Sequence, residues 1–143
     1  MVDMRLEVSI VPVMDADRSK QFYQRLGWRF DDDVAPADGV RLIQLTPPGS
    51  ACSITFGEGI TKAEPGFVQG GLVVSDVEAA RADLVGRGID ASDFFHGAPF
   101  PKEGRATGLH PERGSYASFF SFNDPDGNEW LVQEVTTRAP GRD

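Results

Sequence analysis

The chain has a single cysteine, Cys52, so it cannot close a disulfide on itself, and a reducing, cytoplasmic setting is expected. Cations are scarce: 14 Lys and Arg stand against 22 Asp and Glu, for a net charge of -8. Phosphate binding needs clustered Lys and Arg, so nucleic acid is not an expected partner. No apolar run approaches the roughly 20 residues of a membrane span. The opening MVDMRLEV has no basic segment leading into an apolar one, so neither a membrane anchor nor a signal peptide is expected. There is no Gly-x-Ser-x-Gly elbow and no phosphate-cradling glycine loop. Gly70-Gly71 lies inside an apolar run with no helix directly after it, which argues against a dinucleotide site. What remains is an ordinary soluble composition, 40% hydrophobic and 25% charged over 143 residues. That is enough to bury a core in a single domain spanning 1–143 without metal or disulfide staples.

The chain contains a repeat. VSIVPVMDADRSKQFYQRLGW, from Val8 to Trp28, is followed 61 positions later by QGGLVVSDVEAARADLVGRGI, from Gln69 to Ile89. Val8 corresponds to Gln69, Asp15 to Asp76, Gly27 to Gly88 and Trp28 to Ile89. Both copies run apolar strand, Asp, amphipathic helix, Gly, apolar residue, so the fold is expected to be built twice.

In the first copy Leu6 to Val13 reads as a strand. Asp15 or Asp17 caps a helix carrying Phe22, Tyr23 and Leu26 on one face. Gly27 ends the helix and Trp28 to Phe30 starts the next strand. Asp31 to Asp33 and the following Ala-Pro-Ala-Asp-Gly read as solvated loop. Val40 to Thr46 and Ala51 to Phe56 are strands around the turn Pro47-Pro48-Gly49-Ser50. The first module covers about 4–57, a linker 58–66 and the second module about 67–136. In the second, Phe67 to Val74 is a strand and Asp76 or Ser75 a helix cap. Val77, Ala80 and Leu84 form the buried helix face, with Glu78/Arg81 and Asp83/Arg87 pairing outside. Ile89 to Phe95 reads as a short strand. Ser115 to Phe122 and Asn128 to Val135 form a hairpin around Asp124-Pro125-Asp126-Gly127.

The second module is longer. From Gly27 to the Pro47 turn is 20 positions, and from Gly88 to the Asp124 turn 36. The surplus lies near His96 to Gly114 and holds both histidines. Glycine-rich flanks suggest a mobile segment, either an ordinary loop or a lid over a cleft. Each half thus reads strand, helix, three strands. Two such halves put helices on one side and join their sheets into a curled, mixed sheet around a cleft, an α+β architecture of two βαβββ modules.

Asp15, Ser19, Phe22, Tyr23, Leu26, Gly27 and Trp28 after the apolar strand, and the hairpin around DPDGN, resemble the vicinal oxygen chelate superfamily. This family includes glyoxalase I, extradiol dioxygenases and bleomycin-resistance proteins. HPERGSYASFFSFNDPDGNEWLVQEV is similar to a bacterial branch labelled glyoxalase/bleomycin resistance protein. The resemblance implies four metal-ligand positions, which fall here on Val8, Ser53, Gln69 and Leu131. Val and Leu have no donor atom, and Gln and Ser are weak neutral ones, whereas a transition metal wants imidazole, carboxylate or thiolate. A family metal site is therefore not expected. Zn, Mn, Ni or Fe at an off-pattern site, drawing on Glu7 or Gln133, is the alternative. Glu134 has the wrong strand parity for the cleft.

Gln133 shares parity with Leu131 and is expected to line the cleft. Gln69 and Gln133, with Ser53 between them, would either recognise a ligand's polar groups or satisfy each other as a structural pair. Tyr116, Phe120 and Trp130 would clamp a planar ligand or belong to the core. Tyr116 and Phe120 share one strand face, and Phe119 takes the other. Cys52 lacks an activating neighbour in the sequence and reads as a small core residue. The resulting expectation is a metal-independent binder of a small molecule, aromatic or cationic, that works as a homodimer. The alternative is an enzyme of the lyase or dioxygenase kind.

Overall fold

Two helices, alike in length and cap, organise the structure, a computed structural model that describes residues 1–142. Helix α1 spans Ala16–Arg25 and helix α2 spans Val77–Gly86. Asp15 accepts a hydrogen bond from the amide of Arg18, and Asp76 accepts from Glu78 and Ala79. A short carboxylate thus satisfies first-turn donors that have no partner inside the helix. Gly27 and Gly88, at φ +86° and +82°, follow the last turns in the left-handed conformation that stops a helix.

The chain divides into two units. The first is Met1–Val68 with Asp124–Asn128, and the second is Gln69–Asn123 with the chain from Glu129 onward. In the first, strands β1 (Val8–Ile10), β2 (Arg29–Ala37), β3 (Val40–Thr46) and β4 (Ser53–Glu58) form a mixed sheet in the order β1-β4-β3-β2. In the second, β5 (Gln69–Val74), β6 (Phe95–Gly97), β7 (Arg105–Thr107), β8 (Ser118–Asn123) and β9 (Glu129–Glu134) are ordered β5-β9-β8-β6-β7. The first strand of each unit runs parallel to its last, and the other pairings are antiparallel. The duplication read from the sequence is therefore a duplication of topology, in an α+β fold of mixed sheets. Among the described residues no helix is long and apolar enough to cross a membrane.

Core formation follows strand parity. In the first unit Ile43, Leu45, Ile54 and Phe56 are buried on one sheet face. Tyr23 of α1 packs there, with ring centroids 5.5 Å from Phe56 and 5.1 Å from Trp28. In the second unit Phe120, Phe122, Trp130 and Val132 occupy one face and are buried together with Val77 and Ile89. Ala80 and Leu84 are only half-buried, so α2 sits on its sheet through its first turn.

The DPDG turn does more than reverse the chain. Asp124 accepts from the amides of Asp126 and Asn128 (2.9 and 3.0 Å), from the Asn128 side chain (2.8 Å) and from the Tyr23 hydroxyl (2.8 Å). Asn128 is fully buried. Its amide donates to Pro12 O at 3.1 Å and accepts from Gly66 N and Val68 N at 2.9 and 3.1 Å. One side chain thereby closes three backbone groups that have no ladder partner.

Four sequence expectations change. Asp31 to Asp33 and the residues up to Ala37 are strand, not loop. Their carboxylates lie against donors: Asp33 meets Arg41 at 2.9–3.0 Å and Lys20 at 2.8 Å, and these contacts hold its carboxyl far below the usual range. Ile89 to Phe95 is not a strand. Only a lone bridge joins Ala91 to Phe122 before β6 begins. Arg81 does not pair with Glu78; it donates to Ser92 O at 2.7 Å, while Glu78 takes Arg113 at 2.7 Å. The predicted Asp83/Arg87 pair forms at 3.1 Å. Finally, the 96–114 insert is not a free loop, because β6 and β7 extend the sheet by a hairpin. Both histidines are tied to backbone: His96 Nδ1 lies 2.8 Å from Gly108 O, and His110 Nδ1 accepts from Gly114 N at 3.2 Å.

Candidate functional site

The sheet face of the second unit that α2 leaves bare carries a cavity of about 390 Å³, lined by Gln69, Gly71, Val73, Phe119, Leu131 and Gln133 together with Pro99, Phe100 and Arg142. A drug-sized molecule fits such a volume. Register explains the lining. Phe119 pairs with Gln133, Ser121 with Leu131 and Gly71 with Leu131, so these side chains share one face while Phe120, Phe122, Trp130 and Val132 point the other way.

The floor is apolar and closely packed. Phe119 (4% exposed) and Leu131 (6%) pack with Phe95 in one cluster. The Phe95 and Phe119 rings are stacked at 5.4 Å with planes 5° apart, and the Arg105 guanidinium lies 4.4 Å over Phe95. Such a stack braces the Phe119 ring from the side, since Phe95 is its register partner on β6. The polar groups stand at the two ends. Gln69 Nε2 donates to Glu129 Oε1 at 3.4 Å, and Gln133 Nε2 donates to Tyr116 O at 2.8 Å. Each amide keeps its carbonyl and a second N–H for another partner.

Glu129 is nearly buried and compensated, with Arg105 at 3.3 Å and Lys102 at 3.5 Å. On the opposite face Glu134 accepts from Arg113 Nε and Nη2 (3.0 and 2.7 Å) and from the amide of Val77 (3.0 Å). The Arg113 bonds come first among the causes that hold its carboxyl below the ordinary value.

The expected site residues separate. Gln69, Leu131 and Gln133 line the cavity. Gln69 and Gln133 do not pair: they face Glu129 and Tyr116, and Gln133 stands about 13 Å along β9 from Glu129 at roughly 3.3 Å per residue. Phe120 (0% exposed) and Trp130 (6%) belong to the core face, which corrects their placement as a clamp. The Trp130 ring fills the space beside Gly70, where a Cβ would come within 2.3 Å of it. Tyr116 has φ +68° and acts through its carbonyl on Gln133 and its hydroxyl on Ala139 N. Val8 and Ser53 are register partners in the first unit, and Ser53 Oγ lies 2.7 Å from Thr46 Oγ1. Val8 stands to Ser53 as Gln69 stands to Glu129, so the counterpart of Ser53 is Glu129 rather than Leu131. The DPDG turn delivers its strand two residues sooner after the glycine than the Pro-Pro-Gly-Ser turn does.

Phe119, Phe100 and Arg142 were not singled out in the sequence. Parity with Gln133 was the available signal for Phe119; Phe100 and Arg142 arrive by long-range folding. By register the four positions hold one hydrocarbon side chain, a hydroxyl engaged with Thr46, an amide engaged with Glu129, and the Glu129 carboxylate itself, which Arg105 and Lys102 already compensate; Leu131, the position the resemblance implies, would only add a second hydrocarbon. That donor set does not fit a divalent transition metal. Among the described residues no three His, Cys, Asp or Glu side chains gather.

The sequence profile of the Glyoxalase/Bleomycin resistance protein/Dioxygenase superfamily matches residues 5–132. No curated protein matches the chain. Among solved structures it is similar to TnmS3, an antibiotic binding protein from Streptomyces sp. CB03234 (25% identity, 94% of this chain and 98% of that one, TM-score 0.69). It is also similar to a glyoxalase/bleomycin resistance protein from the same strain (26% identity, 91% and 100%, TM-score 0.65). A superfamily member from Sphaerobacter thermophilus DSM 20745 shares the fold at 21% identity (92% and 98%, TM-score 0.69).

Proposed function

The chain belongs to the Glyoxalase/Bleomycin resistance protein/Dioxygenase superfamily, and from that premise we propose that it binds and sequesters a small planar molecule in the cavity of its second unit, without the family's metal. The observation that carries this reading is the cavity itself. A stacked Phe119 floor beside Leu131 offers a flat apolar surface, and one amide at each end offers donors and acceptors to a ligand's rim. The likeness to an antibiotic binding protein supports ligand capture over turnover. We further infer that the chain acts as a homodimer in the cytoplasm. Strands β1 and β5 each pair on one edge only in their own sheets, and they expose Ile10 and Val73; the lone cysteine suits a reducing compartment.

The test is isothermal titration of 2-naphthamide, without and with EDTA. Gln133→Ala should weaken binding roughly five- to tenfold through one lost hydrogen bond and leave Tm within a few degrees. Gln69→Ala should act in the same direction. An unchanged Kd with a lowered Tm would make the amides structural. Binding that disappears on chelation would overturn the metal-free part of the reading.

A further inference from the structure

The segment after β9 is largely polar and rich in Thr and Arg. In the structure it is stitched down. Ser115 Oγ accepts from the amides of Thr136 and Thr137 at 3.0 and 3.1 Å and donates to Thr137 O at 2.8 Å. The amide of Ala139 donates to the Tyr116 hydroxyl at 3.0 Å. The segment then turns on itself: Arg142 N donates to Ala139 O at 3.2 Å, and Arg138 Nε donates to Arg142 O at 2.6 Å. The result is that Arg142 reaches the wall of the cavity.

Among the described residues, the charge around the cavity is the reverse of the charge of the whole chain. The chain carries -8. Among the described residues lining the cavity, Arg142 is the only charged one. The nearest buried acid, Glu129, already has two cations, Arg105 and Lys102. Among the described residues a cationic ligand would find no uncompensated carboxylate there, and the charged residue it would meet is Arg142. A ligand with an acidic group would gain a charge-assisted hydrogen bond from it.

We propose that the cavity selects planar ligands bearing an acidic group, and that Arg142, carried by the stitched C-terminal segment, receives that group. Tyr116 is the positioning residue. Its hydroxyl anchors the segment and its carbonyl orients the Gln133 amide, so one residue in a left-handed conformation sets two polar contacts of the cavity. This proposal rests on ligand binding in the second unit and adds the ligand's charge class to it.

The test compares 2-naphthoate with 2-naphthamide, which share a ring and differ in charge, by titration against the full chain. The readout is the ratio of the two dissociation constants. Wild type should favour naphthoate about tenfold. Arg142→Gln should bring the ratio to about one, Arg142→Lys should restore part of it, and Tyr116→Phe, which removes only the anchoring hydroxyl, should lower it. A variant that merely loosens the fold would weaken both probes together and leave the ratio intact. The proposal is overturned if wild type does not discriminate, or if Arg142→Gln keeps the preference, while naphthamide still binds. If neither probe binds, the binding reading falls and takes the charge preference with it.

Discussion

Glu134 is held by three donors, two from Arg113 and one from the amide of Val77. Its side chain is 3% exposed while Arg113 is 38% exposed. A buried carboxylate left without its cation is costly, but the partial exposure of Arg113 discounts the pair. Glu134→Gln should therefore destabilise the fold by about 1–3 kcal/mol at neutral pH. The pH dependence has a definite sign. The folded pKa is lowered, chiefly by the Arg113 hydrogen bonds, so the stabilisation is present above the ordinary carboxylate range and is lost as pH falls through the lowered folded value. Urea titrations from pH 7 down to pH 3 should show wild type and variant converging at the acid end. A constant gap at all pH values would remove Glu134 from the pH-dependent stability. At this scale the sequence was partly legible. The parity of Gln133 with Leu131, and of Glu134 against them, follows from the two-residue period of a strand. Trp130 followed as well, since it alternates with Leu131; choosing between Phe119 and Phe120 needed in addition the register across the DPDG turn, which pairs Phe119 with Gln133.

Strand β5 shows the same alternation at the scale of an element. Gly70 and Gly71 look interchangeable in the sequence, yet a Cβ on Gly70 would lie 2.3 and 2.5 Å from the Trp130 ring, while one on Gly71 would meet nothing within 4 Å. Gly70 belongs to the core face and Gly71 to the cavity face. Gly70→Ala should push Trp130 out of its seat and cost about 1–3 kcal/mol, as overpacking a filled core does. Gly71→Ala should leave Tm unchanged and weaken 2-naphthamide by narrowing the cavity. Thermal melts and titrations of the pair would refute this assignment if the two alanines gave the same melting shift. The helices were the most legible elements, since cap, periodicity and terminating glycine agree in both copies. Strand β2 was not, because three consecutive aspartates read as loop until Lys20 and Arg41 arrive from α1 and β3. The insert was misjudged for a related reason: glycines that signal mobility in a sequence also permit the tight turns of the β6–β7 hairpin, as at Gly97 with φ +84°.

For the whole molecule, the duplication has a consequence that neither half shows alone. Each unit repeats a sheet whose first strand lies at an edge, so the chain carries two edge strands of kindred sequence. In the first, apolar residues alternate from Val2 through Met4 and Leu6, in the chain leading into β1, to Val8 and Ile10 within it, and all five are exposed in the single chain. An exposed edge with an alternating apolar stripe is a template for further pairing, and natural chains usually blunt it with charge or proline. Asp3, Arg5 and Glu7 alternate with these residues, but the stripe itself carries no charge, and the first proline, Pro12, comes after the strand. Closure with a second copy is the economical way to remove such edges, because a two-fold partner satisfies like surfaces in pairs. Sedimentation of wild type should accordingly give twice the 15.5 kDa mass of the chain. Ile10→Lys should shift the equilibrium to the monomer, since a lysine at a half-exposed apolar position is tolerated by a lone chain but costly once covered. The Lys variant should keep a cooperative melt, which separates lost association from lost folding. A wild type that sediments as a monomer at tens of micromolar, or a variant that stays dimeric, would show that β1 is not the surface through which copies meet.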